Sequence, residues 1–97
     1  MPAKRDDFLR AATNKGFIEM KKGDHIFLRF LDSDGKITPI HTKVSRGSGH
    51  RDLSDSILAQ IKKQLHFNSK EELNEYIRCT FSEEDYRELL REKGHKV

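Results

Sequence analysis

Five histidines and one cysteine are the side chains of this chain best suited to chemistry near neutral pH, and His25 stands apart from the others by its placement. It follows Gly23-Asp24 and opens Ile26-Phe27-Leu28-Arg29-Phe30, the most apolar strand-like run present, so a tight turn delivers an imidazole to the start of a strand. An imidazole, with an unperturbed pKa of about 6.5, both takes and gives a proton near neutrality and so suits a general acid or base. Arg29 and, one turn later, Lys43 supply charge suited to a phosphate, and Phe27 offers a ring on which a base can stack. His41 reads as a supporting residue rather than the proton carrier. The stretch Ser45-Arg46-Gly47-Ser48-Gly49-His50-Arg51 adds a glycine-rich basic loop without an acidic residue, which suits phosphates again. On residue type alone, His25 would serve equally as an ordinary surface histidine beside a turn, Phe27 as a packing residue, and the cations as solubilising groups. No spacing among the histidines and Cys79 has the form of a metal site, and a lone cysteine excludes an intrachain disulfide.

The elements that must position these residues follow from periodicity. Phe8, Leu9, Ala11 and Ala12 form a short apolar stripe behind Asp6 and Asp7, with Gly16 beyond as the left-handed stop, which predicts a first helix over Lys4 to Lys15. Phe17 to Met20 reads as a strand, Lys21-Lys22-Gly23 as a three-residue hairpin turn, and Asp24 to Leu31 as the second strand. Asp32-Ser33-Asp34-Gly35 is a turn, and Ile37 to Val44 the third strand. Asp52 is placed to cap a helix carrying Leu53, Ile57, Leu58, Ile61 and Leu65. Ser69-Lys70-Glu71-Glu72 and Ser82-Glu83-Glu84-Asp85 are capping-box patterns that open two short helices, the second ended by Gly94, with Tyr76 and Tyr86 as packing residues.

The two turn glycines predict register. A type I turn with a left-handed glycine pairs Met20 with Asp24 and Asp32 with Lys36. Ile18, Met20, Ile26, Leu28, Phe30, Ile40 and Val44 then share one face, with Thr38 and Thr42, and this face should carry the helices. Glu19, His25, Arg29, His41 and Lys43 share the other face with Phe17, Phe27, Leu31, Ile37 and Pro39. A slip of one residue would reverse any of these assignments.

The 97 residues suit a single domain with a modest core, read as a core over 1–67 and a helical extension over 68–97, too small for a deep cofactor cavity. Hydrophobic residues make up 34% and charged residues 36%, but no stretch approaches the roughly 20 apolar residues that span a bilayer, and the expectation is a soluble cytoplasmic protein without a membrane partner. Charge is uneven. Residues 1–66 carry 13 Lys and Arg against 8 Asp and Glu, residues 67–97 carry 6 against 8, and a basic front part suits a polyanion.

The order helix, three strands, helix matches the architecture of double-stranded-RNA-binding domains. Together with Gly16-Phe17 entering the first strand, Gly23-Asp24-His25 at the second, Pro39-Ile40-His41 in the third, Leu53 and Ser56-Ile57-Leu58 in the next helix and Ser69-Lys70-Glu71-Glu72-Leu73 after it, this resembles the HicA family of small toxin ribonucleases. The resemblance covers roughly Phe8 to Ile77. Asp24 departs from it, since a Ser or another small polar residue is common there, and residues 82–97 lie beyond the usual length. The resemblance implies an α+β fold, α-β-β-β-α with a three-stranded antiparallel sheet and helices on one face, here with two short C-terminal helices added. It also implies an RNA endonuclease (mRNA interferase) of a toxin–antitoxin system that works without a cofactor, because the 2′-OH of RNA is the nucleophile, and a HicB-like antitoxin as protein partner. His25 matches the family's catalytic histidine. Arg29, His41, Lys43, Arg46, His50, Arg51 and Phe27 are then the expected RNA-binding residues. A non-catalytic RNA-binding module on the same fold and a protein-interaction domain remain the alternatives, and self-association stays open.

Overall fold

Asp6 and Asp7 sit in the first turn of α1 (Arg5–Thr13), where carboxylates favour the positive end of the helix dipole. Phe8, Ala11 and Ala12, one helical stripe, are buried. The computed structural model, which describes residues 3–46, 52–78 and 80–97, precedes this helix with a short strand β1 (Ala3–Lys4). It continues through β2 (Phe17–Lys22), β3 (His25–Leu31), β4 (Ile37–Ser45), β5 (Asp52–Leu53), α2 (Asp55–Gln64), α3 (Lys70–Ile77) and α4 (Glu83–Glu92). The fold is α+β, with β2, β3 and β4 adjacent in an antiparallel sheet as expected.

An unforeseen second ladder joins β1 and β5, pairing Ala3 with Leu53 and Lys4 with Asp52. Asp52 therefore does not cap α2. Ser54 does, its Oγ accepting from the Ile57 N–H at 3.3 Å. Ser82 and Asp85 form the reciprocal capping box expected of α4, whereas at α3 the box is half made. Ser69 accepts from the Glu72 N–H, but the Glu72 carboxylate reaches the Asn68 N–H instead of that of Ser69.

The turn at 32–35 forms as expected: the Asp32 N–H donates to the Lys36 carbonyl, Gly35 has φ +80°, and the Asp32 carboxylate accepts from the Asp34 and Lys36 N–H groups. Farther along, the β3–β4 register shifts by two, from Leu31↔Ile37 to Arg29↔His41, across a segment that contains Pro39. A proline has no N–H for a ladder and belongs at such a bulge. A shift of two keeps the faces, so His41 and Lys43 stay beside Arg29 and Phe27.

The first hairpin departs from expectation. Its loop has two residues, Gly23-Asp24, with Lys22 opposite His25 and Gly23 at φ +59°, as a II′-like turn needs at its first central position. Met20 consequently pairs with Phe27, not Asp24, and every side chain of β2 moves to the opposite face. Phe17 is buried under the helices, Met20 is 43% exposed on the outer face, and Glu19 leaves the side that carries His25.

One core runs from Phe8 to Val97. Tyr86 of α4 is its aromatic centre, with its ring 5.9 Å from Phe17, 5.1 Å from Phe30, 5.1 Å from Phe67 and 5.4 Å from Tyr76. Burial raises the pKa of its phenol, which stays protonated and donates to the Leu65 carbonyl at 2.8 Å. Lys15 is equally integral: its ammonium donates to the carbonyls of Tyr76 and Phe81 at 2.7 and 2.6 Å and lies 4.5 Å from the Tyr76 ring centre. A cation thus meets the carbonyl end of α3, where the helix dipole is negative. The C-terminal helices complete the core instead of trailing from it, and with α1 and α2 they leave the outer sheet face open.

Candidate nucleic-acid interface

Residues directly opposite in adjacent strands share a face, so the register defines three rows across the open side of the sheet. Lys22, His25 and Ser45 form one row, Met20, Phe27 and Lys43 the next, and Ile18, Arg29 and His41 the third. No carboxylate stands in them. The revised register of β2 removed Glu19 and brought in Lys22, which makes the face better suited to a polyanion than expected. Lys22, Arg29 and Lys43 form no ion pair with any described residue. Phe27 is half-buried, its ring centre 6.2 Å from that of His25.

His25 itself is half-buried at the mouth of the hairpin, and its ring makes no hydrogen bond with a described residue. The His41 ring is held: its Nδ1 is 2.8 Å from the Pro39 carbonyl. A carbonyl only accepts, so Nδ1 carries the proton and the neutral ring keeps Nε2 as an acceptor. The two histidines are not neighbours. Ser45, opposite His25, is four residues from His41, about 13 Å along β4. Lys43 stands between them.

Arg46 has a structural task that its sequence position did not announce. Its guanidinium donates to the Gly23 carbonyl at 3.1 Å and its N–H to the Asp24 carbonyl at 2.9 Å, so it pins the turn that presents His25. Arg5 fastens the same chain end from the other side, through the carbonyls of Ser45 and Arg46. Gly47 to Arg51, and with them the expected roles of His50 and Arg51, lie outside the described residues, as does Cys79.

The sequence reading missed a groove. Between the edge strand β4 and α2, a cleft of about 160 Å³ is lined by His25, Lys43, Gln60 and Gln64 among others, and it continues into a shallower one of about 650 Å³ that adds His41 and Lys63. Gln60, Lys63 and Gln64 stand at i, i+3 and i+4, one polar stripe of α2 beside its buried stripe Leu58, Ile61 and Leu65. That spacing is visible in the sequence, but only the packing of α2 against β4 gives it a partner. Gln64 is oriented by the Thr42 hydroxyl, which donates to its Oε1 at 2.6 Å.

At the far end, His66 adopts φ +67° to close α2, with its own N–H donating to the Lys63 carbonyl and that of Phe67 to Lys62. Its ring is 4.5 Å from that of His95, and Lys93 donates to its carbonyl. Partial burial, then the charges of His95 and Lys93, hold the His66 imidazole below its ordinary pKa.

Among the described residues, no three His, Cys, Asp or Glu side chains stand together to hold a metal ion, and no helix is long and apolar enough to cross a membrane. No family model, curated protein or solved structure matches this chain.

Proposed function

We propose that this chain is an endoribonuclease of the HicA-like kind, acting on RNA in the cytoplasm with His25 as general acid or base. The observation that carries the reading is the placement of His25. A half-buried imidazole ends a pinned hairpin and borders a sheet face that holds Lys22, Arg29, Lys43 and His41 without a carboxylate. Such a face attracts a phosphodiester and has an imidazole at its rim to carry a proton.

The chemistry needs few protein groups, because the nucleophile belongs to the substrate. The 2′-oxygen bonds to the adjacent phosphorus as the bond from phosphorus to the 5′-oxygen breaks. His25 takes the 2′-OH proton, the leaving 5′-oxygen takes one from water, and the imidazolium returns its proton to solvent. Lys43 and Arg29 neutralise charge that builds on the phosphoryl oxygens. Met20 and Ile37, 43% and 58% exposed, leave apolar surface on the same face for bases or for an inhibitory protein of the HicB-like kind.

The absence of any hydrogen bond orienting the His25 ring among the described residues favours a second reading, a module that binds RNA on this face without cutting it. His25→Ala separates the two. In an enzyme the rate of RNA cleavage falls by about 10²–10⁴-fold while binding is retained, whereas in a binding module the wild type does not cleave at all.

A further inference from the structure

The open sheet face is not the only carboxylate-free surface that reaches His25. The groove between β4 and α2 shares Lys43, Gln60 and Gln64 along both of its parts, and it runs from His25 and Ser45 to Pro39 and His66. Six residue steps of β4 give it a length of about 20 Å. None of its lining residues is acidic. Lys43 and Lys63 supply charge, and Gln60 and Gln64 supply amide donors between them. The acceptor oxygen of Gln64 is already engaged by Thr42, which leaves its N–H groups as the polar atoms to offer. β4 is also an edge strand, so alternate backbone N–H groups on its outer side lack a sheet partner.

From this arrangement we infer that the β4–α2 groove is the track for single-stranded RNA, holding its phosphates on Lys43, Gln60, Lys63 and Gln64 and delivering the chain to His25. The inference rests on the proposed reading of the chain as an RNA enzyme and names its substrate class. One line of donors between one strand and one helix serves one backbone. Duplex RNA presents two backbones across a wide minor groove and is held by proteins that touch both. A peptide added to the edge of β4 would ask for apolar pockets at alternate positions along it; Val44, Ile57 and Ile61 line only the end at His25, and beyond them every lining side chain but Pro39 is polar.

The test uses 2′-O-methyl RNA, which cannot supply the nucleophile and so reports binding alone, as a labelled unstructured single strand and as a duplex. Wild type is compared with Gln60→Glu/Lys63→Glu, both exposed on α2, and with Lys22→Glu/Arg29→Glu on the open face; circular dichroism checks that both variants fold. The groove variant should bind the single strand at least about tenfold more weakly, with a salt slope shallower by roughly 0.7 for each phosphate it no longer neutralises, and wild type should prefer the single strand to the duplex. If the groove variant binds as wild type does and the open-face variant fails, the groove is overturned and the RNA reading survives. Preference for the duplex also overturns it. Polyglutamate that binds wild type more tightly than RNA does, and no longer binds the groove variant, makes the groove a peptide site and overturns the inference. No binding of either RNA at low salt removes the inference together with the reading beneath it.

Discussion

Replacing Lys15 by Met should destabilise the protein by about 3 kcal/mol. The buried ammonium holds two carbonyls, those of Tyr76 and Phe81, at 2.7 and 2.6 Å, and lies over the Tyr76 ring. Hydrogen bonds to a charged group each contribute about 1.5–3 kcal/mol, and a buried carbonyl left without its donor costs about 1–3 kcal/mol. Against this stands the relief of no longer burying an ammonium, which returns part of the loss. For a chain of this size the net change corresponds to a fall in melting temperature of roughly 15 °C. Urea denaturation followed by circular dichroism is the assay, with an unchanged dependence on denaturant as evidence that the same surface is exposed. Because the two carbonyls belong to the last turn of α3 and to its connection with α4, amide exchange in residues 76–92 should rise before that of the sheet. A loss below about 1 kcal/mol would refute the view that Lys15 fastens the C-terminal helices to the core.

Three further outcomes follow from the geometry. His66→Gly should stabilise the fold by about 1 kcal/mol, since φ +67° strains any side chain but glycine. Because the folded pKa of His66 is lowered, the unfolded chain gains a proton near pH 6.5 that the folded chain does not, so stability is full above that pH and is lost as pH falls below it. Denaturation at a series of pH values should show that loss in wild type, and His66→Gly should reduce it. Gly16→Ala should lower stability by about 2 kcal/mol or more in thermal melts, because φ is +98° and the added Cβ would lie 2.9 Å from the Phe30 ring. Asp24→Ser, in titrations with 2′-O-methyl RNA, should tighten binding by removing a negative charge beside His25; unchanged binding there with weaker cleavage of unmodified RNA would mean instead that Asp24 orients the imidazole.

The sheet was legible in the sequence wherever a turn had only one reading. Asp32-Ser33-Asp34-Gly35 has its acceptor and its left-handed glycine in fixed places, and the shift of two around Pro39 did not disturb the faces. Lys22-Gly23-Asp24 admits two readings, a three-residue loop ending in glycine or a two-residue loop beginning with it, and both use the same positive φ. Nothing local chooses between them. Burial does, because the two-residue loop buries Phe17 where the other would bury Met20. Lys15 and Arg5 were illegible for a different reason: their partners lie 61 and 66, and 40 and 41, residues away along the chain. His25, Arg29, His41 and Lys43 were brought to one face as their spacing implied, whereas Arg46 is engaged by the turn and Gln60, Lys63 and Gln64 acquired meaning only when α2 met β4.

The proposed reading turns on whether His25 carries a proton in RNA cleavage. Wild type and His25→Ala should be incubated with unstructured RNA in the presence of a chelator between about pH 5 and 8, with binding to the 2′-O-methyl strand measured in parallel. The expected result is metal-independent cleavage by wild type, lowered about 10²–10⁴-fold in His25→Ala with RNA affinity essentially unchanged. Equal cleavage by the two proteins, or none by wild type at any pH in that range, would show that His25 does not carry it.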